Sequence, residues 1–344
     1  MTPDASPMRL GVPVKLLSDP ALKANDARRW QSGPHLRVSL EGLDAILDAL
    51  DRLNIRMYRM SSDLAPYATH PDLPQFHGQV AECAADLAAI GAKARRLGIR
   101  LSFHPSQFVV LNSPDPVLVG KSIADLASQA EMLDLMGQGP EAVLVIHLGG
   151  AYGDRDAARA RWVETWERRL PAHVKARLVL ENDDIRFDAA DALWVHQRTG
   201  VRLIFDHQHH WCLNRSGLDL AEAAGRFLDS WPEGVRPKIH FSSPRTAMKE
   251  VKRKVEGTRR QETRLLAPLL TAHAELVNAF EFAHFLRLLP GRVFDVMVEA
   301  KAKDLAVLRL RRDLLRCAPD VAARFGLGAA EEQAAAALLE EAAE

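Results

Sequence analysis

Cysteine is scarce in this 344-residue chain. Cys83, Cys212 and Cys317 are widely separated and odd in number. That excludes a disulfide framework and any zinc-knuckle spacing. No apolar run is long enough to span a bilayer, and Met1 to Leu10 holds neither a charged n-region nor an apolar h-region. With the cysteine usage, this predicts a cytoplasmic protein. Charge of one sign is also missing, because 45 Lys and Arg face 45 Asp and Glu. A protein that simply coats nucleic acid is therefore excluded, although local basic surface is not. Bound cations would add positive charge that such a count omits. A Gly-rich dinucleotide fingerprint is absent, and no internal repeat stands out.

What is present is a strand–helix alternation. Apolar runs at 9–14, 55–60, 99–103, 142–147, 177–181, 201–206, 237–241 and 293–299 read as strands. Most are continuously apolar, as strands covered on both faces are. Amphipathic stretches at 40–53, 79–97, 116–136, 154–175, 189–198 and 218–227 lie between them, the first opening with Ser39 as its cap. Eight such units predict an α/β fold of the (β/α)8 TIM-barrel class rather than an open doubly wound sheet. Residues 1–318 are expected to form one catalytic domain. A basic insertion at 245–264 contains Lys249, Lys252, Arg253, Lys254, Arg259, Arg260 and Arg264. It is either a solvated helix or a phosphate-contacting arm. Residues 319–344, rich in Ala and Glu, read as a helical tail without chemistry.

Barrels of this class build their sites at the C-terminal ends of the strands. Six consecutive predicted strands end in or near an ionisable side chain: His104, His147, Glu181, Asp206 with His209 and His210, His240, and Glu299. Buried without partners, each would cost several kcal/mol. Divalent cations satisfy imidazole and carboxylate together, and zinc, manganese or iron suit the set. The ligands exceed what one or two ions need, so three are expected. Clustered cations bridged by a carboxylate suit in-line phosphoryl displacement.

These motifs resemble the UV damage endonuclease family, relatives of endonuclease IV within the xylose-isomerase-like barrels. The likeness runs from about Arg9 to Lys303. It is carried by Arg9-Leu-Gly, Ala68-Thr-His70-Pro, Leu101-Ser-Phe-His104-Pro-Ser-Gln107-Phe108 and His147-Leu-Gly-Gly-Ala-Tyr152-Gly. Leu180-Glu181-Asn182-Asp183, Asp206 with His209-His210, Pro237-Lys238-Ile-His240, Ala272-His273-Ala and Asp295-Val-Met-Val-Glu299-Ala-Lys301 complete it. The resemblance implies a trinuclear site of divalent ions on His104, His147, Glu181, Asp206, His209, His240, His273 and Glu299. Manganese is the expected ion, with zinc or magnesium as alternatives. It implies catalytic roles for Glu181, Glu299 and Lys238, and DNA contacts from Gln107, Phe108, Tyr152 and Lys238. Lys238 matches a modified family lysine, with an ordinary phosphate contact as the alternative. His70 matches a family histidine near the site, with a structural role as the alternative. Gln107 and Phe108 match a pair that wedges into the duplex beside the lesion.

The implied activity is a DNA repair endonuclease that nicks damaged duplex DNA 5′ to UV photoproducts, in some members also at abasic sites, acting as a monomer. Three positions depart from the family pattern. Phe108 stands where Tyr is usual, Val12 where an aromatic is usual, and Leu16 where Asn is usual. The departures touch lesion recognition rather than the ligands. The rival readings are a sugar isomerase or epimerase on the same barrel, and a non-catalytic module that binds damaged DNA.

Overall fold

The computed structural model describes residues 6–254, 257 and 260–328. All eight expected strands form. They are β1 (Leu10–Pro13), β2 (Met57–Arg59), β3 (Arg100–Ser102), β4 (Leu144–His147), β5 (Leu178–Glu181), β6 (Arg202–Ile204), β7 (Lys238–Phe241) and β12 (Asp295–Val298). Between β7 and β12 lie β8 (Pro244–Arg245), β9 (Lys249–Lys254), β10 (Gln261–Leu266) and β11 (Leu269–His273). The helices are α1 (Leu36–Arg52), α2 (Gln79–Glu82), α3 (Ala84–Arg96), α4 (Pro116–Leu135), α5 (Arg155–Arg168), α6 (Ala172–Arg177), α7 (Ala189–Thr199), α8 (His207–Cys212), α9 (Leu220–Asp229), α10 (Ala279–Arg287), α11 (Lys303–Cys317) and α12 (Pro319–Arg324).

The eight strands are parallel and lie in two curled sheets, ordered β3-β2-β1-β12-β7 and β4-β5-β6. Single parallel bridges, Phe103 to Leu144 and Asp206 to His240, join the sheets at both seams. Every residue of β1, β5, β7 and β12 is buried. This is the signature of strands covered on both faces, and the continuous apolar runs anticipated it.

Side chains alternate across a strand, so residues two apart share a face. One inward file on β3 carries Arg100, Ser102 and, just beyond its end, His104. The corresponding file on β12 carries Asp295, Met297 and Glu299. Contacts between non-adjacent strands establish that these files point inside. Lys238 Nζ donates to Ser102 Oγ at 3.0 Å, and Arg100 Nη1 pairs with Asp295 Oδ2 at 2.9 Å. Gly11 keeps this interior open for Met57, whose Cε would lie 2.6 Å from a Cβ at position 11.

Several expectations are corrected. Helix α1 starts at Leu36, four residues before the expected first residue, 40. Its cap is His35, whose Nδ1 accepts from Arg37 N at 3.2 Å. Ser39 lies inside the helix, and its Oγ accepts instead from Asp26 N at 2.8 Å. The expected 79–97 helix divides at Cys83, and 154–175 divides before Pro171, which cannot continue a helix from its own N–H. The insertion forms an antiparallel ribbon, β9 with β10, and no helix among its described residues. Its Lys, Arg and Glu content favours a helix locally. Pairing of the β8–β11 stem, with Leu269 opposite Arg245, imposes the strand geometry. Arg259 lies outside the described residues, as do residues 329–344 of the expected tail. Among the described residues no helix is long and apolar enough to cross a membrane.

Candidate metal centre

The inward files converge at the C-terminal ends of the strands. Glu181, the last residue of β5, lies at the centre and is 1% exposed. Its Oε2 is 3.0 Å from His104 Nε2 and 3.5 Å from His147 Nε2. Its Oε1 is 2.7 Å from His240 Nδ1 and 3.7 Å from His209 Nδ1. Glu299 Oε1 lies 3.3 Å from His240 Nδ1. Three groups, His104–Glu181–His240, His147–Glu181–His209 and Asp206–His240–Glu299, each bring their potential ligand atoms within 4.8 Å of one another.

Local structure explains how Asp206 takes part. It is the N-cap of α8, a short helix that the sequence reading did not contain. Its Oδ1 accepts from His209 N at 2.8 Å. The other oxygen, Oδ2, is buried and has no hydrogen-bond partner. The amide of Asn182 locks this corner. Asn182 Nδ2 donates to Asp206 O at 3.0 Å, and Asp206 N donates to Asn182 Oδ1 at 2.8 Å.

The electrostatics are strongly biased. Burial pushes the Asp206 carboxyl up, helped by the nearby charges of Glu181 and Glu299. Burial would do the same to Glu181, but the charges of His240 and His147 hold it well below the usual carboxylate range. Glu299 is likewise held low against burial, chiefly by Arg59. Burial drives His104 down to about 4, whereas His209, despite burial, is raised to about 9 by Asp206 and Glu181. The negative potential that holds a proton on His209 would equally attract a cation.

The donor set fits divalent ions. His104 Nδ1 lies 3.1 Å from the carbonyl of Pro105, which can only accept, and this contact favours the tautomer with the ring proton on Nδ1. A neutral His104 then turns the Nε2 lone pair toward a carboxylate oxygen of Glu181. In that tautomer two acceptors would face each other at 3.0 Å, an arrangement that a shared cation relieves. Buried His147 Nδ1 and His240 Nε2 also lack partners.

The other expected residues lie as follows. His273, at the end of β11, belongs to none of the three groups; its Nδ1 is 4.0 Å from Glu299 Oε2. Lys238 is fully buried beneath the cluster, and burial, then the charges of Arg100 and Arg59, holds its amine well below the ordinary lysine range. Gln107, Phe108 and Tyr152 line a cleft of about 670 Å³ that runs past His104, His147 and His209. Phe108 is 73% exposed. His70 lines a separate cleft with Thr69 and Asp125 and stands outside the cluster. Val12 and Leu16 are buried among core side chains.

Sequence reasoning missed Arg59, whose guanidinium is bonded to Glu299 Oε1. It ends β2 in the same inward file as Met57. A scan restricted to acids and histidines at strand ends passes over such a cation.

The family model described as UV-endonuclease UvdE matches residues 38–322. A UV DNA damage endonuclease of Bacillus pumilus (strain SAFR-032) is 36% identical over 264 residues, 76% of this chain and 75% of the relative. One of Bacillus cereus (strain G9842) is 32% identical over 282 residues, 81% of each. A crystal structure of SacUVDE superposes with a TM-score of 0.73 at 31% identity, covering 90% of this chain and 98% of that one. D-allulose 3-epimerase of Methylomonas sp. shares the fold at a TM-score of 0.50 and 15% identity, covering 86% of this chain and 85% of the epimerase. The chain belongs to the UvdE family of UV endonucleases.

Proposed function

We propose that this protein is a metal-dependent DNA repair endonuclease that hydrolyses the phosphodiester 5′ to a damaged site, with UV photoproducts as the first lesion class and abasic sites as the second. The observation that carries this reading is the gathering of His104, His147, His209 and His240 around the buried Glu181 carboxylate, beside the partnerless Asp206 Oδ2. The two bridged sheets are read as one closed (β/α)8 barrel, and residues 1–318 as one catalytic domain.

His104, His147, Glu181, Asp206, His209, His240, His273 and Glu299 would hold the ions, three in number and manganese by preference. Bound there, divalent cations supply Lewis-acid charge at a phosphoryl oxygen and acidify water. Glu181 lies in two of the ligand groups and suits a bridging role. Arg59 fixes the Glu299 carboxylate. Burial of Lys238 favours its neutral amine, the form open to the modification that the family resemblance implies. Gln107 and Phe108 project from the loop after β3, where an exposed ring can enter a base stack and open the duplex. Tyr152 lines the same cleft.

The test is incubation of the manganese-loaded protein with duplexes that each carry one defined lesion. A single nick 5′ to the photoproduct is expected. Glu181→Gln and Glu299→Gln should each lower the rate by about 10²–10³ or more, with an unchanged circular dichroism spectrum. Undiminished nicking by both variants would remove the mechanism. Epimerisation of a ketose without any nicking would move the protein to the sugar-epimerase class.

A further inference from the structure

Residues 249–266 carry seven Lys or Arg against three Glu, in a chain whose net charge is zero. We propose that the β9–β10 ribbon is a second grip on duplex DNA, holding phosphates away from the incision site. This inference rests on the endonuclease reading above.

Register arranges the charge. Lys252 stands opposite Thr263, and Lys254 opposite Gln261, so neither lysine has a carboxylate directly across the strand, while Glu250 shares their face opposite Leu265. Arg253 and Arg264 share the other face with Glu262, which is already paired with Arg264. Lys249, Lys252, Arg253 and Lys254 are all exposed. With exposure on both faces the ribbon buries little, and an isolated two-stranded ribbon is marginally stable. It therefore contributes little to folding.

Position supports the assignment. The β8–β11 stem follows directly from β7, and Ala274 N donates to Ser243 O at 2.8 Å across its base. Gln208 Nε2, on α8, donates to Leu270 O at 2.5 Å. The ribbon thus departs from the same rim that carries Asp206, His273 and Glu299. Six residues per strand extend about 20 Å, on the order of six nucleotide steps along one DNA strand. A two-stranded ribbon also has the width that the major groove admits. Lysines on exposed strands can serve only to block edge pairing, and the experiment separates that role from DNA binding.

Binding of an undamaged duplex is measured by fluorescence anisotropy over a range of salt concentrations. The full chain is compared with the Lys252→Ala, Arg253→Ala, Lys254→Ala triple variant. The slope of log K against log salt should become shallower by about 2–3, close to 0.9 for each lost phosphate contact. A Lys252→Arg, Lys254→Arg variant should keep the wild-type slope. A triple variant with the wild-type slope overturns the inference. So does a slope change that tracks loss of a dimer in sedimentation, because the ribbon would then join two copies. The two readings fail separately. Wild-type protein that nicks no damaged duplex removes the endonuclease reading, while the slope comparison still decides the ribbon.

Discussion

A neutral histidine that gives its Nδ1 proton to a carbonyl has only a lone pair left at Nε2. Metal sites use this arrangement to fix which nitrogen faces the ion. His209 Nδ1 likewise lies 2.9 Å from a carbonyl, that of Asn182, which holds the ring in place although, against burial, Asp206 and Glu181 keep it protonated in the absence of a cation. Asn182 therefore orients two candidate ligands, His209 through its carbonyl and Asp206 through its amide. It is a positioning residue, and Asn182→Ala should lower metal affinity about 10–100-fold. Isothermal titration with manganese reads this directly, and the unfolding midpoint of the metal-free protein separates it from general destabilisation. An unchanged affinity would mean that the backbone alone holds Asp206. At this scale the candidate ligands other than His273, which only the family resemblance supplied, were legible because imidazoles and carboxylates at the ends of apolar strands are costly without partners. Asn182 and Arg59 were not, since neither residue type distinguishes a positioning role from an ordinary surface one until the fold brings Asp206 and Glu299 beside them.

Elements were legible where periodicity is long and illegible where a tertiary contact overrides it. The eight strands were readable from continuous apolar runs. The start of α1 was not, because Asp26, outside the helix, recruits Ser39 and leaves His35 to cap. Asp26 Oδ2 accepts from His35 N at 3.0 Å and from Arg28 Nη2 at 2.6 Å. Its hydrogen bonds to Arg28, above all, hold the carboxyl down at about 2, against burial. The sign follows from linkage. A carboxyl with a depressed folded pKa gives stability that is fully present above its unfolded value near 3.8 and is lost as pH falls through about 2. The stability difference between wild type and Asp26→Asn should therefore shrink as the solution is acidified from about pH 5 to about pH 2. Urea unfolding at each pH measures it. A constant difference across that window would show that the carboxylate charge does not anchor the start of α1. The ribbon failed in the same way as α1, since its composition favours a helix while the β8–β11 stem dictates strands.

Across the whole molecule, the two ends of the same strands carry different duties. Residues four apart in one inward file stand about 13 Å apart along a strand. Arg100 and His104 are such a pair on β3, and Asp295 and Glu299 on β12. At the N-terminal end Asp295 is fully buried. Its Oδ2 pairs with Arg100 at 2.9 Å and with Arg9 at 3.3 Å, and its Oδ1 accepts from Arg9 N at 2.9 Å. Arg100 Nε also donates to Glu141 O at 2.9 Å. This end holds the fold together, and the opposite end carries the candidate metal centre, the division expected of a (β/α)8 barrel. Asp295→Ala leaves the Arg100 guanidinium buried without its carboxylate and should cost about 3–5 kcal/mol. Adding Arg100→Met to the same chain should recover part of that loss, since an apolar side chain needs no counter-charge. Denaturant unfolding compares the three proteins. Nicking of a photoproduct duplex well below the transition should keep its cleavage position in every variant, because the candidate metal centre lies at the other end of the strands. A cost under about 1 kcal/mol for Asp295→Ala would mean that the ion pair does not hold the base of the fold. A shifted cleavage position would mean that the two ends are coupled through the strands rather than independent.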